Sequence, residues 1–171
     1  TVQSANAAED FKTLAADLGK AIGATVTMTS KDTHAVLTLP ADKIDAARAA
    51  VREVRPSARV MSAGEEIEIY KEVGLPKDVA RRFDIAHMSG THGIGHTRMA
   101  TESAVTTMGA HPFSTGSDQC LVHNGSLSNH NSVRRVLREA GMTFETENDT
   151  EVAAAFISHK LQEGSKLGEA M

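Results

Sequence analysis

The sequence of 171 residues has one cysteine, Cys120, and only 4% aromatic residues. A single cysteine cannot close an internal disulfide and is too few for a thiolate metal cage, which fits a reducing compartment. No run of about 18 apolar residues occurs, which excludes a spanning helix, and the opening residues lack the charged-then-apolar pattern of a secretory leader. Long basic runs are missing too. The 18 Lys and Arg are outnumbered by 22 Asp and Glu, for a net charge of -4. A phosphate backbone demands a basic stripe, so nucleic acid is not an expected partner, and neither is a membrane. What remains, 40% hydrophobic and 23% charged, is the profile of a soluble globular chain. A cytoplasmic location is the expectation, with no internal repeat or low-complexity segment to suggest otherwise.

The first half alternates helix and strand signals. Asn6, with Glu9 three residues later, reads as a capping box ahead of Phe11, Leu14, Ala15, Leu18 and Ile22 at helical spacing. Ala24, Val26 and Met28, a polar turn from Ser30 to Thr33, and then Ala35, Leu37 and Leu39 predict a hairpin. A second helix is expected after Pro40, with Ile44, Ala47, Val51 and Val54 on one face and Pro56 as its stop. Ala58 to Met61 follows as a strand, so residues 1–62 are expected to form an inserted or peripheral α/β lobe. Glu66 to Tyr70 alternates as a further strand, and Lys77 to Phe83 after Pro76 reads as a short helix.

From Ser89 the texture changes. SGTHGIGHTRMAT and GAHPFSTGSDQCLVHNGSLSN are dense in Gly, His, Ser and Thr, the composition of loops and strand ends that let backbone approach a ligand. Beyond them, Ser128 can cap a helix with Val133, Val136, Leu137 and Ala140 inward and Gly141 as its stop. Asn148 and Glu151 form a second capping-box pattern, opening a helix that carries Val152, Phe156, Ile157 and Leu161.

A site for a free amino acid must satisfy an α-carboxylate and an α-ammonium together, and a bidentate arginine with a carboxylate does so. Arg98 and Asp149 are suited to those roles. Attack on an amide then needs donors aimed at a developing oxyanion, and an Asn side chain beside a Gly N–H supplies them compactly. Asn124 and Gly125 offer that pair. Taken singly, Arg98 also fits a structural ion pair, Asn124-Gly125 a tight turn and Asp149 a helix cap.

Taken in order, GIGHTRMAT, GAHPF, LVHNGSLSN and ENDTEVAAAFI resemble the glutaminase motifs of class II glutamine amidotransferases, which are N-terminal nucleophile (Ntn) hydrolases. The resemblance covers residues 64–171. Within the family, EIYKEVGLP through FETENDTEVAAAF resembles the amidotransferase-like subunit of N-methylglutamate synthase and related glutamate-synthase-like proteins. It implies an α+β fold of two stacked antiparallel sheets flanked by helices, with residues 63–171 as a partial amidotransferase core. It also implies that Arg98 holds the glutamine carboxylate with Thr101 beside it, and that Asp149 holds the ammonium. Asn124 and Gly125 become the oxyanion hole, supported by His96, His111 and His123. L-glutamine or L-glutamate is the implied small-molecule partner, with no cofactor, and a glutamate-synthase-like subunit the implied acceptor of ammonia.

Class II enzymes attack with an N-terminal cysteine. TVQSANAAEDF does not resemble the family's opening strand, so the sequence reads as an internal fragment without its nucleophile, inactive alone. Thr1 is chemically capable of the role but stands in the wrong context. Cys120 reads as a small hydrophobe in a buried strand. An intact chain without a leading cysteine would instead be a non-catalytic glutamine- or glutamate-binding subunit of a synthase complex. Six of the eight histidines lie between His87 and His130, which raises a metal hydrolase with His92 and His96 as ligands. Glycines 90, 93 and 95 oppose the helix that this spacing needs, so no metal is expected.

Overall fold

The computed structural model describes residues 1–97 and 105–171 and has an α+β architecture. The chain divides into two units, one of residues 1–70 and 74–89, the other of residues 71–73 and 90–171.

The first unit runs β1 (Val2–Gln3), α1 (Ala7–Asp10), α2 (Leu14–Ile22), β2 (Thr27–Lys31), β3 (His34–Thr38), α3 (Ile44–Val54), β4 (Arg59–Val60) and α4 (Pro76–Arg82). The sheet order is β2-β3-β1-β4 and every pairing is antiparallel. This is the split βαβ arrangement of ferredoxin-like sheets. Val2 sits opposite both Ala35 and Val60, so one pleat face carries Val2, Ala35, Leu37, Met28 and Val60. Onto that face α2 and α3 pack Leu14, Leu18, Ala47 and Val51. Leu14 and Leu18 are fully buried, each contributing about 1.5–3 kcal/mol of transfer free energy.

The opposite face carries His34, which is fully buried, with its ring edge-on to Phe83 at 4.8 Å and tilted against Tyr70 at 5.8 Å. Pro76 at the first turn of α4 sets the helix whose C-cap is Phe83. Arg82 bonds Asp32 at 2.6 Å, in the turn between β2 and β3.

Several expectations shift. The hairpin strand runs on to Lys31, which leaves Asp32 and Thr33 as the turn, and Asp32 takes a φ of 52°. The first expected helix is two helices, and Asn6 makes no side-chain cap. Its N–H instead meets Ser4 Oγ at 3.0 Å, a local side-chain bond that competes with helix propagation. Glu66 to Tyr70 is not a strand: Ile69 is buried as alternation predicts, but its N–H bonds the Thr1 hydroxyl at 3.3 Å rather than the backbone of a neighbouring strand.

The second unit contains α5 (His130–Glu139), α6 (Asp149–Gln162) and α7 (Leu167–Ala170). Leu137, Val152 and Ala155 form its small apolar core, with Val133, Met142 and Phe144 packed around it. Val136 points outward at 62% exposure, and the buried position of that turn belongs to Arg134. On α6 Phe156 is exposed, while Ala154, Ala155 and Ser158 are buried. Gly141 closes α5 with a φ of 89°, the left-handed conformation that glycine adopts without strain. An isolated antiparallel bridge joins Phe113 and Leu121 in this unit. Cys120 lies next to that bridge, half-buried and outside any strand. None of the helices among the described residues is long and apolar enough to cross a membrane.

Candidate functional site

The amino end of α6 organises the second unit's polar centre. Asn148 is its N-cap, with Oδ1 accepting the Thr150 N–H at 2.9 Å. Glu151 does not complete the expected box. Its buried carboxylate turns back onto the preceding loop, accepting the Glu145 N–H at 2.7 Å, the Thr146 N–H at 2.8 Å and the Thr146 hydroxyl at 2.7 Å. From α5, buried Arg134 donates to Thr146 O at 2.6 Å and Asn148 O at 3.3 Å while its guanidinium lies 4.9 Å from the Phe144 ring centre. A carboxylate and a guanidinium therefore fix one loop from two sides, and that loop delivers Asp149.

Asp149, half-buried as the first residue of α6, accepts the Leu127 N–H on Oδ2 at 2.8 Å. Its other oxygen lies 3.4 Å from the Thr150 hydroxyl. This bond spans 22 residues and brings the HNGSL loop to the start of the helix. Two of the expected site segments thereby meet. Asn124 and Gly125 are exposed on that loop. A Cβ on Gly125 would lie 2.8 Å from His123 Nε2, so the imidazole closes directly over the glycine backbone.

His111 is buried, with Nε2 2.9 Å from Thr150 Oγ1, which places the GAHPF segment at the same helix start. Its ring stacks on His96 at 4.4 Å and meets the Phe113 ring edge-on at 5.1 Å. His96, His111 and Asp149 are thus linked through Thr150, while His123 lies against Gly125. Arg98 and Thr101 lie outside the described residues. His92 is exposed on an irregular segment and bonds its neighbour Thr91 at 3.0 Å.

One residue escaped sequence reasoning. Lys71, 6% exposed, donates Nζ to Met108 O at 3.1 Å, Ala110 O at 3.0 Å and Pro112 O at 3.3 Å, and lies 4.6 Å from the Phe113 ring centre. Burial lowers its pKa to about 8 against the opposing attraction of Glu151. The only available signal was its place directly after the alternating Ile67 and Ile69. Burial also raises the pKa of the Cys120 thiol, which keeps it protonated and a weak nucleophile.

Comparison with known proteins bears on the same segments. Residues 83–166 match the model of a glutamine amidotransferase domain. Over all 171 residues the chain is 58% identical to the glutamine amidotransferase-like protein GlxB of Rhizobium meliloti, of which it spans 56%. Several glutamine–fructose-6-phosphate aminotransferases (isomerizing) also match. The one from Aliivibrio fischeri is 38% identical over 112 residues, 66% of this chain and 18% of its own. The one from Neisseria meningitidis serogroup A is 46% identical over 100 residues, 58% of this chain and 16% of its own. The chain thus spans a little over half of GlxB and a smaller share of the aminotransferases. From the HNG loop to the α6 start, the polar centre lies within residues that match a glutamine amidotransferase domain, and the whole chain is similar to a glutamine amidotransferase-like protein.

Proposed function

We infer that the second unit is the glutamine-binding and oxyanion-stabilising part of a class II glutamine amidotransferase. The observation that carries this reading is the bond from Leu127 N–H to Asp149 Oδ2, because it sets a carboxylate beside the loop bearing Asn124 and Gly125. Asp149 binds the α-ammonium of glutamine, and Arg98 with Thr101 takes the α-carboxylate. When a thiolate adds to the side-chain amide, the carbonyl oxygen gains charge. The Asn124 side chain and the Gly125 N–H donate to that oxyanion. His123 keeps the Gly125 backbone in place, while His111, stacked on His96, steadies the helix start through Thr150. The attacking thiol is not Cys120, whose half-buried setting disfavours the thiolate.

In the intact protein the reaction is hydrolysis of glutamine to glutamate, with ammonia passed to a synthase partner. An N-methylglutamate-forming synthase is one such partner, and the setting is cytoplasmic. Residues 63–171 belong to an Ntn-type core of two stacked sheets, and residues 1–62 to an appended lobe. The test is ammonia release from glutamine by the full-length protein. Asn124→Ala should lower kcat by roughly a hundredfold or more with little change in KM. Arg98→Ala should weaken glutamine binding by roughly a few kcal/mol, because it leaves a charged partner unpaired. Glutamine binding without hydrolysis by the wild type would overturn the catalytic reading in favour of a binding subunit.

A further inference from the structure

Lys71 has no place in the proposed chemistry, yet few side chains of the second unit are more fully engaged. Its ammonium has three N–H donors, and three backbone carbonyls, of Met108, Ala110 and Pro112, lie at 3.1, 3.0 and 3.3 Å from Nζ. The Phe113 ring closes the cage at 4.6 Å. The residue inside the bracket of the last two carbonyls is His111, whose Nε2 reaches Thr150 beside Asp149. One charge on one side chain therefore sets the path of the segment that carries His111 into the helix start.

Resting on the amidotransferase reading above, we propose that Lys71 is a positioning residue of the glutamine site. Its ammonium holds residues 108–112 so that His111 steadies Thr150 and Asp149. The match of three donors to three acceptors depends on the proton. A neutral amine has two donors and a lone pair, so loss of the proton leaves one carbonyl facing a lone pair. Burial brings that loss down to about pH 8. The charged and titratable groups around it are Glu151 from α6, Glu72 beside it in the chain and His111 from the segment it holds. Glu72 is already engaged, accepting from the Thr107 hydroxyl and from the Val73 N–H at 2.9 Å.

The test uses the full-length protein with glutamine as substrate, comparing wild type, Lys71→Met and Lys71→Arg across pH 6.5 to about 10, with far-UV circular dichroism as a check on folding. Lys71→Met should lower kcat/KM by roughly tenfold or more, the scale expected of a small misplacement of site groups. Lys71→Arg should restore part of that loss. Wild-type activity should fall as pH rises through about 8. In Lys71→Arg that fall should vanish, because a guanidinium keeps its proton throughout this range. Unchanged kinetics in Lys71→Met, or the same alkaline fall in wild type and Lys71→Arg, overturns the proposal. If Lys71→Met does not fold, the alkaline behaviour of Lys71→Arg decides alone. A wild type that releases no ammonia overturns the amidotransferase reading and this role with it, whereas an active wild type with an indifferent Lys71 overturns only the role.

Discussion

Each of the two units is stabilised internally by a different kind of interaction. In the first, Leu14, Leu18, Ala35 and Val51 meet over an antiparallel sheet, and the backbone satisfies itself through ladders and helices. In the second, the apolar core is small and the chain path is fixed by buried charged or polar side chains that bond backbone atoms: Lys71, Arg134 and Glu151. Apolar burial tolerates small displacements, whereas a charged group with three defined partners specifies a position. The polar anchors cluster around the start of α6, where the proposed glutamine site lies. Precision is thus concentrated in the unit that matches the amidotransferase domain.

The contrast can be broken by substitution. Leu18→Ala should have the largest effect, a loss of about 2–5 kcal/mol in chemical denaturation, because a fully buried leucine leaves a cavity. A loss below about 1 kcal/mol would mean that the lobe is not held by its apolar core. Glu151→Ala should cost about 2–3 kcal/mol by stranding the Glu145 and Thr146 N–H groups. Faster amide hydrogen exchange at residues 144–148 would mark the loss as local, and unchanged exchange there would refute the anchor.

Lys71 gives a signed pH dependence. Its pKa is about 8 folded and near the ordinary 10.5 unfolded, so between those values the unfolded chain holds the extra proton and stability rises with pH. Falling pH removes that stability down to about 8. Wild type should therefore gain on Lys71→Met by up to ~1.4 kcal/mol per pH unit within that window. A flat difference would mean that Lys71 titrates normally. Smallest of all, Asn148→Ala should cost about 1 kcal/mol through the lost cap on Thr150, and Asn148→Asp should keep most of it.

The same contrast explains what could be read from sequence. α3 stands where Pro40 and Pro56 bracket an apolar stripe, and β2 and β3 where alternation flanks a polar turn. Period and punctuation report apolar burial, so they describe the first unit well. They misread α5, where Val136 fits the stripe but Arg134 is the buried side chain. Nor could they find Lys71, since a lysine followed by glutamate reads as surface, and its partners lie 37 to 41 residues away. The strand expected at Glu66 to Tyr70 failed for a related reason: alternation records burial on one side, not the presence of a neighbour to pair with. At the candidate site, residue types and order singled out Asp149, Asn124 and His111. The Leu127 and Thr150 contacts that join them needed the fold.

The closeness of His123 to Gly125 also constrains how this loop can change over generations. With His123 in its present orientation, any larger residue at 125 must displace the imidazole. A lineage that exchanges the glycine must therefore either turn the imidazole away, which leaves position 123 unchanged, or replace it.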